Sequence, residues 1–225
     1  MTARDDVFAS IRRGLGIAGA EAPRKRAVAD RLGAAPRGVV PARGDLDPDG
    51  RVALFRAEAE RAAATIAEIA DANALPAEIA RYLGEANLPA TLRVGADPRL
   101  DGLPFAETSL SVTRGPSAGD DPVALSFAFG AVAETGTLAL VSGADNPTTL
   151  NFLPETHVVA VARADVLGDY EALIARVRAA YGRGTMPRTL NFVTGPSRSA
   201  DIEQTMLHGA HGPKRLHVVI VGAGA

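Results

Sequence analysis

The chain contains no cysteine and no tryptophan, and only 4% of its 225 residues are aromatic. Without cysteine it can form no disulfide, hold no zinc or iron–sulfur cluster through thiolates, and use no thiol nucleophile. It also lacks an apolar run of the roughly 18–20 residues that span a bilayer. Residues 1–6 are polar and acidic, without the apolar segment of a secretory signal. We therefore expect a cytoplasmic protein with no membrane association.

Lysine is scarce as well, since Lys25 and Lys214 are the only two among 24 basic residues. The net charge of −2 gives no reason to expect a nucleic-acid partner. However, the segment from Arg12 to Arg43 contains eight basic and two acidic residues, a net charge of +6 that leaves −8 on the rest of the chain. This segment is either an arm that docks on a partner or a solvated flexible stretch.

The chain divides into a predicted N-terminal helix with a flexible basic arm, residues 1–50, and an α/β domain, residues 51–225. Apolar residues from Val7 to Leu15 recur at helical spacing. The Gly-, Pro- and Arg-rich stretch Ile17–Gly50 has no clear periodicity, which predicts a linker. An Ala-rich helix is predicted over Asp49–Ala72, and a shorter one begins near Pro76.

Short apolar runs then predict strands at 91–94, 110–113, 131–133, 137–141, 157–161, 189–193 and 216–221, with helices at 165–181 and 200–207. This alternation predicts an α/β fold whose mainly parallel sheet is covered by helices on both faces. Ligands of such sheets bind beyond the carboxyl ends of the strands, which points to the turn after Val193.

The stretch TGPSRSADIE, residues 194–203, is the most informative motif. Free N–H groups at the start of the predicted helix, with Arg198 beside them, could hold a small carboxylate or phosphate. Capping alone explains much of the pattern, with Ser199 as N-cap and acidic residues behind it, but capping does not require an arginine. The residues assigned to a ligand here are Gly195, Pro196, Ser197, Arg198, Ser199, Asp201 and Glu203.

A second motif, AETGT at residues 133–137, places a carboxylate on a tight turn between two extended segments. Glu134 could act as a base or nucleophile, and Thr135 and Thr137 flank it with hydroxyls. Gly136 is predicted to adopt positive φ. The alternative is a turn with a solvated glutamate. We predict that this turn and the Thr194 segment meet in one polar pocket.

The third motif, HGAHGP at residues 208–213, precedes the last strand. No carboxylate or thiol nearby completes a ligand set with His208 and His211, so we predict no metal and no cofactor. We expect His211 and Gly212 to lie near the Gly195 loop, and His217 to be structural. The nucleotide-binding motif GxxxxGK[ST] is absent, and no GxGxxG follows a predicted strand.

In their order and spacing, AETGT, GPSRSADIEQ and HGAHGPKRLHVVIV resemble the LUD domain family, most clearly over Leu88–Val221. Ser199 stands where that family usually has threonine. The resemblance implies a fold akin to the ribose-5-phosphate isomerase and CoA-transferase group. It also implies a non-redox component of a three-protein system that oxidises L-lactate to pyruvate with two iron–sulfur proteins.

Three functions stay open at this point. The chain is an accessory of such a system, a free-standing transferase-like enzyme in which Glu134 acts on a substrate held by Arg198, or a binding scaffold. The transferase alternative rests on fold analogy alone. Whether the chain is an enzyme, and whether it forms homo-oligomers, is left open.

Overall fold

The computed structural model describes residues 2–19, 21–34, 36–199 and 207–222, the side chains of Ser199, Leu207 and His208 excepted. The chain forms two compact units, Met1–Val39 and Val40–Ala225. The helices are α1 (Ala3–Leu15), α2 (Ala22–Ala34), α3 (Pro48–Arg61), α4 (Leu75–Glu85), α5 (Thr148–Phe152) and α6 (Tyr170–Tyr181). The strands are β1 (Thr65–Ile69), β2 (Thr91–Val94), β3 (Ser111–Arg114), β4 (Val123–Phe127), β5 (Gly130–Val132), β6 (Thr137–Val141), β7 (Thr156–Ala162), β8 (Val166–Leu167), β9 (Leu190–Val193), β10 (Arg198–Ser199), β11 (Leu207–His208) and β12 (Arg215–Val221).

The first unit consists of α1 and α2. In α1, Thr2 and Asp5 form a capping box, and Gly16 ends the helix in the left-handed region. The prediction of an irregular linker over Ile17–Gly50 is wrong for α2. That helix has no buried residue, and its abundant alanine and arginine favour a helix by propensity alone.

The predicted helix over Asp49–Ala72 is also wrong in its second half. Asp47 accepts a hydrogen bond from the Gly50 amide as the N-cap of α3. The helix ends at Arg61, and Ala63 then takes a φ of +67°, which turns the chain into β1. Alanine favours helices, but the sequence TIAEI of β1 has the β-branched residues of a strand.

The second unit is built on a six-stranded, wholly parallel sheet in the order β1-β12-β7-β4-β2-β3. A four-stranded sheet in the order β8-β5-β6-β9 packs beside it, with antiparallel β5-β6 and β6-β9 pairs. The mainly parallel α/β fold is therefore confirmed.

Strand β9 lies in the smaller sheet, so the expectation that it belongs to the parallel one is wrong. The predicted helix 165–181 begins only at Tyr170, because Val166–Leu167 forms β8 and Asp169 is the N-cap.

Both faces of the parallel sheet are buried. In β12, Val219 faces one core cluster with α4, whereas Val218 and Ile220 face a second cluster with α3 and the smaller sheet. This explains why β7 and β12 have nearly continuous apolar sequences instead of alternating ones. No helix within the described residues has both the length and the apolar composition that a bilayer-spanning segment needs.

The buried face of α4 gives a direct test of this packing. Leu83 is 1% exposed, whereas Leu15 on α1 is 64% exposed. We expect Leu83→Ala to lower the free energy of unfolding by about 2–5 kcal/mol, because it removes apolar contacts and leaves a cavity. Leu15→Ala, the matched control, changes it by less than about 0.5 kcal/mol. Urea unfolding monitored by circular dichroism measures both, and equal effects of the two substitutions would contradict the assigned core.

Two histidines are buried within the parallel sheet. His157 on β7 has Nε2 at 3.0 Å from Ser126 Oγ and a buried Nδ1 without a partner among the described residues. Burial lowers the pKa of His157 to about 3. His217 on β12 stacks on Tyr82 and contacts Thr65 and Glu78. Burial lowers its pKa too, against the opposing effect of the Glu78 carboxylate.

The burial of these two histidines predicts that the folded state loses stability at acidic pH. A folded-state pKa below the unfolded value of about 6.5 means that the unfolded chain binds the proton more tightly, so stability is complete above pH 6.5 and falls below it. We expect His157 alone to lower the free energy of unfolding by roughly 2 kcal/mol between pH 6.5 and 5. His157→Gln can retain the Ser126 contact without titrating, so its urea midpoint depends less on pH. An unchanged pH dependence would contradict this assignment.

Candidate functional site

The AETGT turn connects β5 to β6. Gly136 has a φ of +64°, which confirms the predicted positive φ. Its Cα lies against the α3 backbone at Glu58 and Ala59, where any Cβ would collide. A glycine is therefore required here by conformation and by space.

Glu134 is buried on this turn, with 6% of its surface exposed. Its backbone N–H donates to the Gly168 carbonyl at 3.2 Å, and its Oε1 accepts from the Tyr170 backbone N–H at 3.4 Å. Tyr170 is the first residue of α6, so the carboxylate lies at the positive end of that helix. No salt bridge within the described part of the chain involves Glu134. Its contacts account for a role in holding α6 against the turn.

Four hydroxyl groups meet beside Glu134. Thr137 Oγ1 lies 2.8 Å from Thr135 Oγ1, 3.0 Å from the Tyr170 hydroxyl and 2.6 Å from Thr194 Oγ1. We call Thr135, Thr137, Tyr170 and Thr194 the hydroxyl cluster. Tyr170 and Thr194 were not assigned from the sequence. Thr194 reaches the cluster because β6 pairs with β9, which places Leu138 opposite Val193. Tyr170 reaches it from the first turn of α6.

The Thr194 segment packs on α3 and then on the HGAHGP loop. Gly195 has a φ of +75° and lies against the carbonyl of Ala62 at the end of α3. Ser197 donates its N–H to the Pro213 carbonyl at 2.8 Å, and its carbonyl accepts from the Gly209 N–H at 3.0 Å. The Ser197 Oγ accepts from the His211 backbone N–H at 3.3 Å.

The remaining residues predicted to bind a ligand in this segment lie outside the hydroxyl cluster. Pro196 is half-buried beside Gly195, and Gly212 lies next to the Ser197 side chain. Arg198 is exposed on β10, opposite His208 of β11, and Ser199 pairs with Leu207. Asp201 and Glu203, with most of the helix predicted over 200–207, lie outside the described residues. The proposal of an anion at that helix start is therefore not tested.

These segments lie at the amino edge of the parallel sheet. Gly195 contacts Ala62 just before β1, and Ser197 bonds to Pro213 just before β12. The turn after Val193 therefore does not lie at the carboxyl edge of the parallel sheet, as the sequence predicted, because β9 belongs to the smaller sheet and is antiparallel to β6.

A groove of 490 Å³ opens at the same edge. We call it the amino-edge groove; it is lined by Gly119, Phe152, Leu153, Pro154, Glu155, Gly209, Ala210, His211, Gly212 and Lys214. Phe152 and Leu153 are exposed, and Lys214 Nζ pairs with Glu155 at 2.6 Å. Neither Glu134 nor Arg198 is among the residues that line it. The groove therefore brings His211 and Gly212 together with Gly119 and the segment 152–155, but does not include Glu134.

The chain is similar in sequence to known proteins. The model of the family described as LUD domain matches residues 52–221. The chain is 34% identical over 100 residues to Lactate utilization protein C of Geobacillus sp. (strain WCH70) and 32% identical over 100 residues to that of Bacillus subtilis (strain 168). Each match covers 44% of this chain and 42% of the relative, so the aligned part spans less than half of either relative.

A solved structure is similar as well. A DUF162 family protein from Deinococcus radiodurans aligns with a TM-score of 0.59 and 26% identity, covering 79% of this chain and 99% of that one. The alignment therefore includes nearly all of that protein.

The hydroxyl cluster can be tested by a double-mutant cycle on Thr137 and Thr194. Because their hydroxyls are 2.6 Å apart, we expect Thr137→Val and Thr194→Val to be coupled by about 0.5–1.5 kcal/mol in the free energy of unfolding. Thr137→Val with Thr156→Val, a buried threonine on β7, is the control and should be nearly additive. Additive effects in both cycles would mean that the Thr137–Thr194 contact does not join the two segments.

Proposed function

This chain belongs to the LUD domain family, and we propose that it serves lactate utilisation as the non-redox component of an iron–sulfur system that oxidises L-lactate to pyruvate. The observation that carries the proposal is its similarity to proteins named Lactate utilization protein C. The described parts of its motifs, AETGT, GPSRS and HGAHGP, lie at the end of α3 and the amino edge of the sheet.

The amino-acid composition supports a non-redox role. Oxidation of lactate to pyruvate releases two electrons, which an iron–sulfur cluster can accept one at a time. Such clusters are held mainly by cysteine thiolates, and these 225 residues include no cysteine. In this proposal the clusters, and the transfer of electrons to an acceptor, belong to partner proteins.

The amino-edge groove supports a binding role for this chain. The exposed His211 and the Lys214–Glu155 pair provide polar groups, while Phe152 and Leu153 provide exposed apolar surface. A mixed apolar and polar surface of this kind is typical of protein recognition sites. We assign it to contact with the iron–sulfur partners.

The position of Glu134 argues against the free-standing transferase alternative. A nucleophilic carboxylate must reach its substrate. Glu134 is buried, its Oε1 contacts the N–H of Tyr170, and it does not line the amino-edge groove. An accessory role needs no such access.

Deletion of the encoding gene tests the proposal. We expect the deletion strain to lose growth on L-lactate and to keep growth on pyruvate, and the purified chain alone to show no lactate-dependent dye reduction. Affinity purification from lactate-grown cells should recover proteins with iron–sulfur absorbance. Normal growth of the deletion strain on L-lactate, or dye reduction by the isolated chain, would refute the proposal.

Complementation with an arginine variant tests the Ser197 segment. Arg198 and Arg188 are both exposed, so neither substitution should unfold the protein. We expect Arg198→Ala to slow growth on L-lactate severalfold and to weaken recovery of the partners, while Arg188→Ala restores growth fully. If both variants complement equally, Arg198 has no part in the function.

A further inference from the structure

The topology of the parallel sheet defines a second place for a ligand, at the opposite edge from the amino-edge groove. Strands β2 and β4 are neighbours. From β2 the chain continues to β3 on its outer side, whereas from β4 it continues by way of the smaller sheet to β7 on the other side. Where two connections leave neighbouring strands in opposite directions, a crevice opens outside their carboxyl ends, and ligands of α/β sheets bind there.

A cavity of 140 Å³ lies at this point. Arg99 follows the end of β2, Phe127 ends β4, and Phe129 comes two residues later; Asn146 and Arg176 complete the wall from the loop after β6 and from α6. We call it the arginine crevice. Its volume is a few times the roughly 30 Å³ of one water molecule and well below the roughly 300–1,000 Å³ of sites for larger ligands. It therefore suits a molecule of a few heavy atoms and not a nucleotide.

Both guanidinium groups in the crevice are held in place. The Arg99 guanidinium lies over the Phe127 ring at 4.4 Å, and that of Arg176 lies over the Phe129 ring at 4.9 Å. Two arginines on neighbouring aromatic rings therefore present fixed N–H groups at a small cavity, which is the geometry that binds a carboxylate.

Aspartates orient the same two arginines without using all their donors. Asp97 accepts from Nε of Arg99 at 3.0 Å and from its Nη2 at 2.6 Å, and Asp165 accepts from Nη1 of Arg176 at 2.6 Å. A guanidinium has five N–H donors, so each group has donors that its aspartate does not engage. Exposed Asp145 also borders the crevice. These three carboxylates carry one negative charge more than the two guanidiniums balance, which repels a doubly charged anion more strongly than a singly charged one. Binding of a singly charged anion therefore depends on the directed N–H groups of the two arginines.

We propose that the arginine crevice binds a small organic monocarboxylate through Arg99 and Arg176. The choice of L-lactate and pyruvate within this class rests on the proposed function, because they are the substrate and product of that reaction. The binding itself rests on the crevice. The site is separate from every residue assigned from the sequence motifs.

Titration calorimetry of the full chain, with L-lactate, pyruvate, acetate and inorganic phosphate as probes, tests this site. We expect L-lactate or pyruvate to bind more tightly than phosphate. Arg176→Gln and Arg99→Gln should each weaken that binding about tenfold, the loss of a charge-assisted contact. Asp145→Asn should strengthen it, because it removes a negative charge from the rim. Arg178→Gln, an exposed position on the same helix, is the matched control and should leave binding unchanged.

Thermal denaturation of each variant separates loss of the site from loss of the fold, and Asp145→Asn keeps the proposal testable if an arginine variant unfolds. No binding of either carboxylate, tighter binding of phosphate, or equal affinities in folded Arg176→Gln and Arg178→Gln would overturn it. The two proposals can be refuted independently. If the deletion strain grows on L-lactate, the proposed function is refuted, but a measured affinity for the carboxylate still stands. If the strain loses growth on L-lactate and the chain binds no carboxylate, only the proposed ligand site in the arginine crevice is refuted.

Discussion

The last turn of α3 is the support on which the two motif segments meet. Gly136 approaches its backbone at Ala59 and Gly195 approaches it at Ala62, both with positive φ. Since glycine has no side chain, each segment can lie directly against the peptide groups of α3. The AETGT turn and the Thr194 segment are then close enough for Thr137 and Thr194 to form a hydrogen bond. A side chain larger than hydrogen at either glycine would separate them. The hydroxyl cluster and the placement of Ser197 both follow from this approach.

Much of the fold could be predicted because burial on both faces leaves a strong signal. The runs HVVAV and LHVVIV indicate central parallel strands, and β7 and β12 occupy the middle of the sheet. The end of α3 was missed because alanine carries little information about where a helix stops. The sheet to which β9 belongs was missed for another reason: short apolar strands look the same in parallel and antiparallel sheets, and only the tertiary pairing with β6 distinguishes them.

Only part of the candidate site could be predicted from the sequence. The predicted proximity of the two motif segments is observed in the contact between Thr137 and Thr194. The burial of Glu134 against the start of α6 could not be predicted, because it depends on Gly168 and Tyr170, more than thirty residues away. Arg99 and Arg176 belong to no motif at all. Their proximity depends on the connections of β2 and β4 and on the aromatic residues at the end of β4, which no local pattern encodes.

The amino-edge groove and the arginine crevice lie at opposite ends of the same strands. Strand β7 has seven residues, so it separates the two edges by roughly 20 Å. A protein seated against Phe152 and Leu153 would therefore leave the other entrance uncovered, and a small molecule could come and go without the complex falling apart. If both sites are occupied as proposed, partner binding and ligand exchange take place on separate surfaces of the molecule.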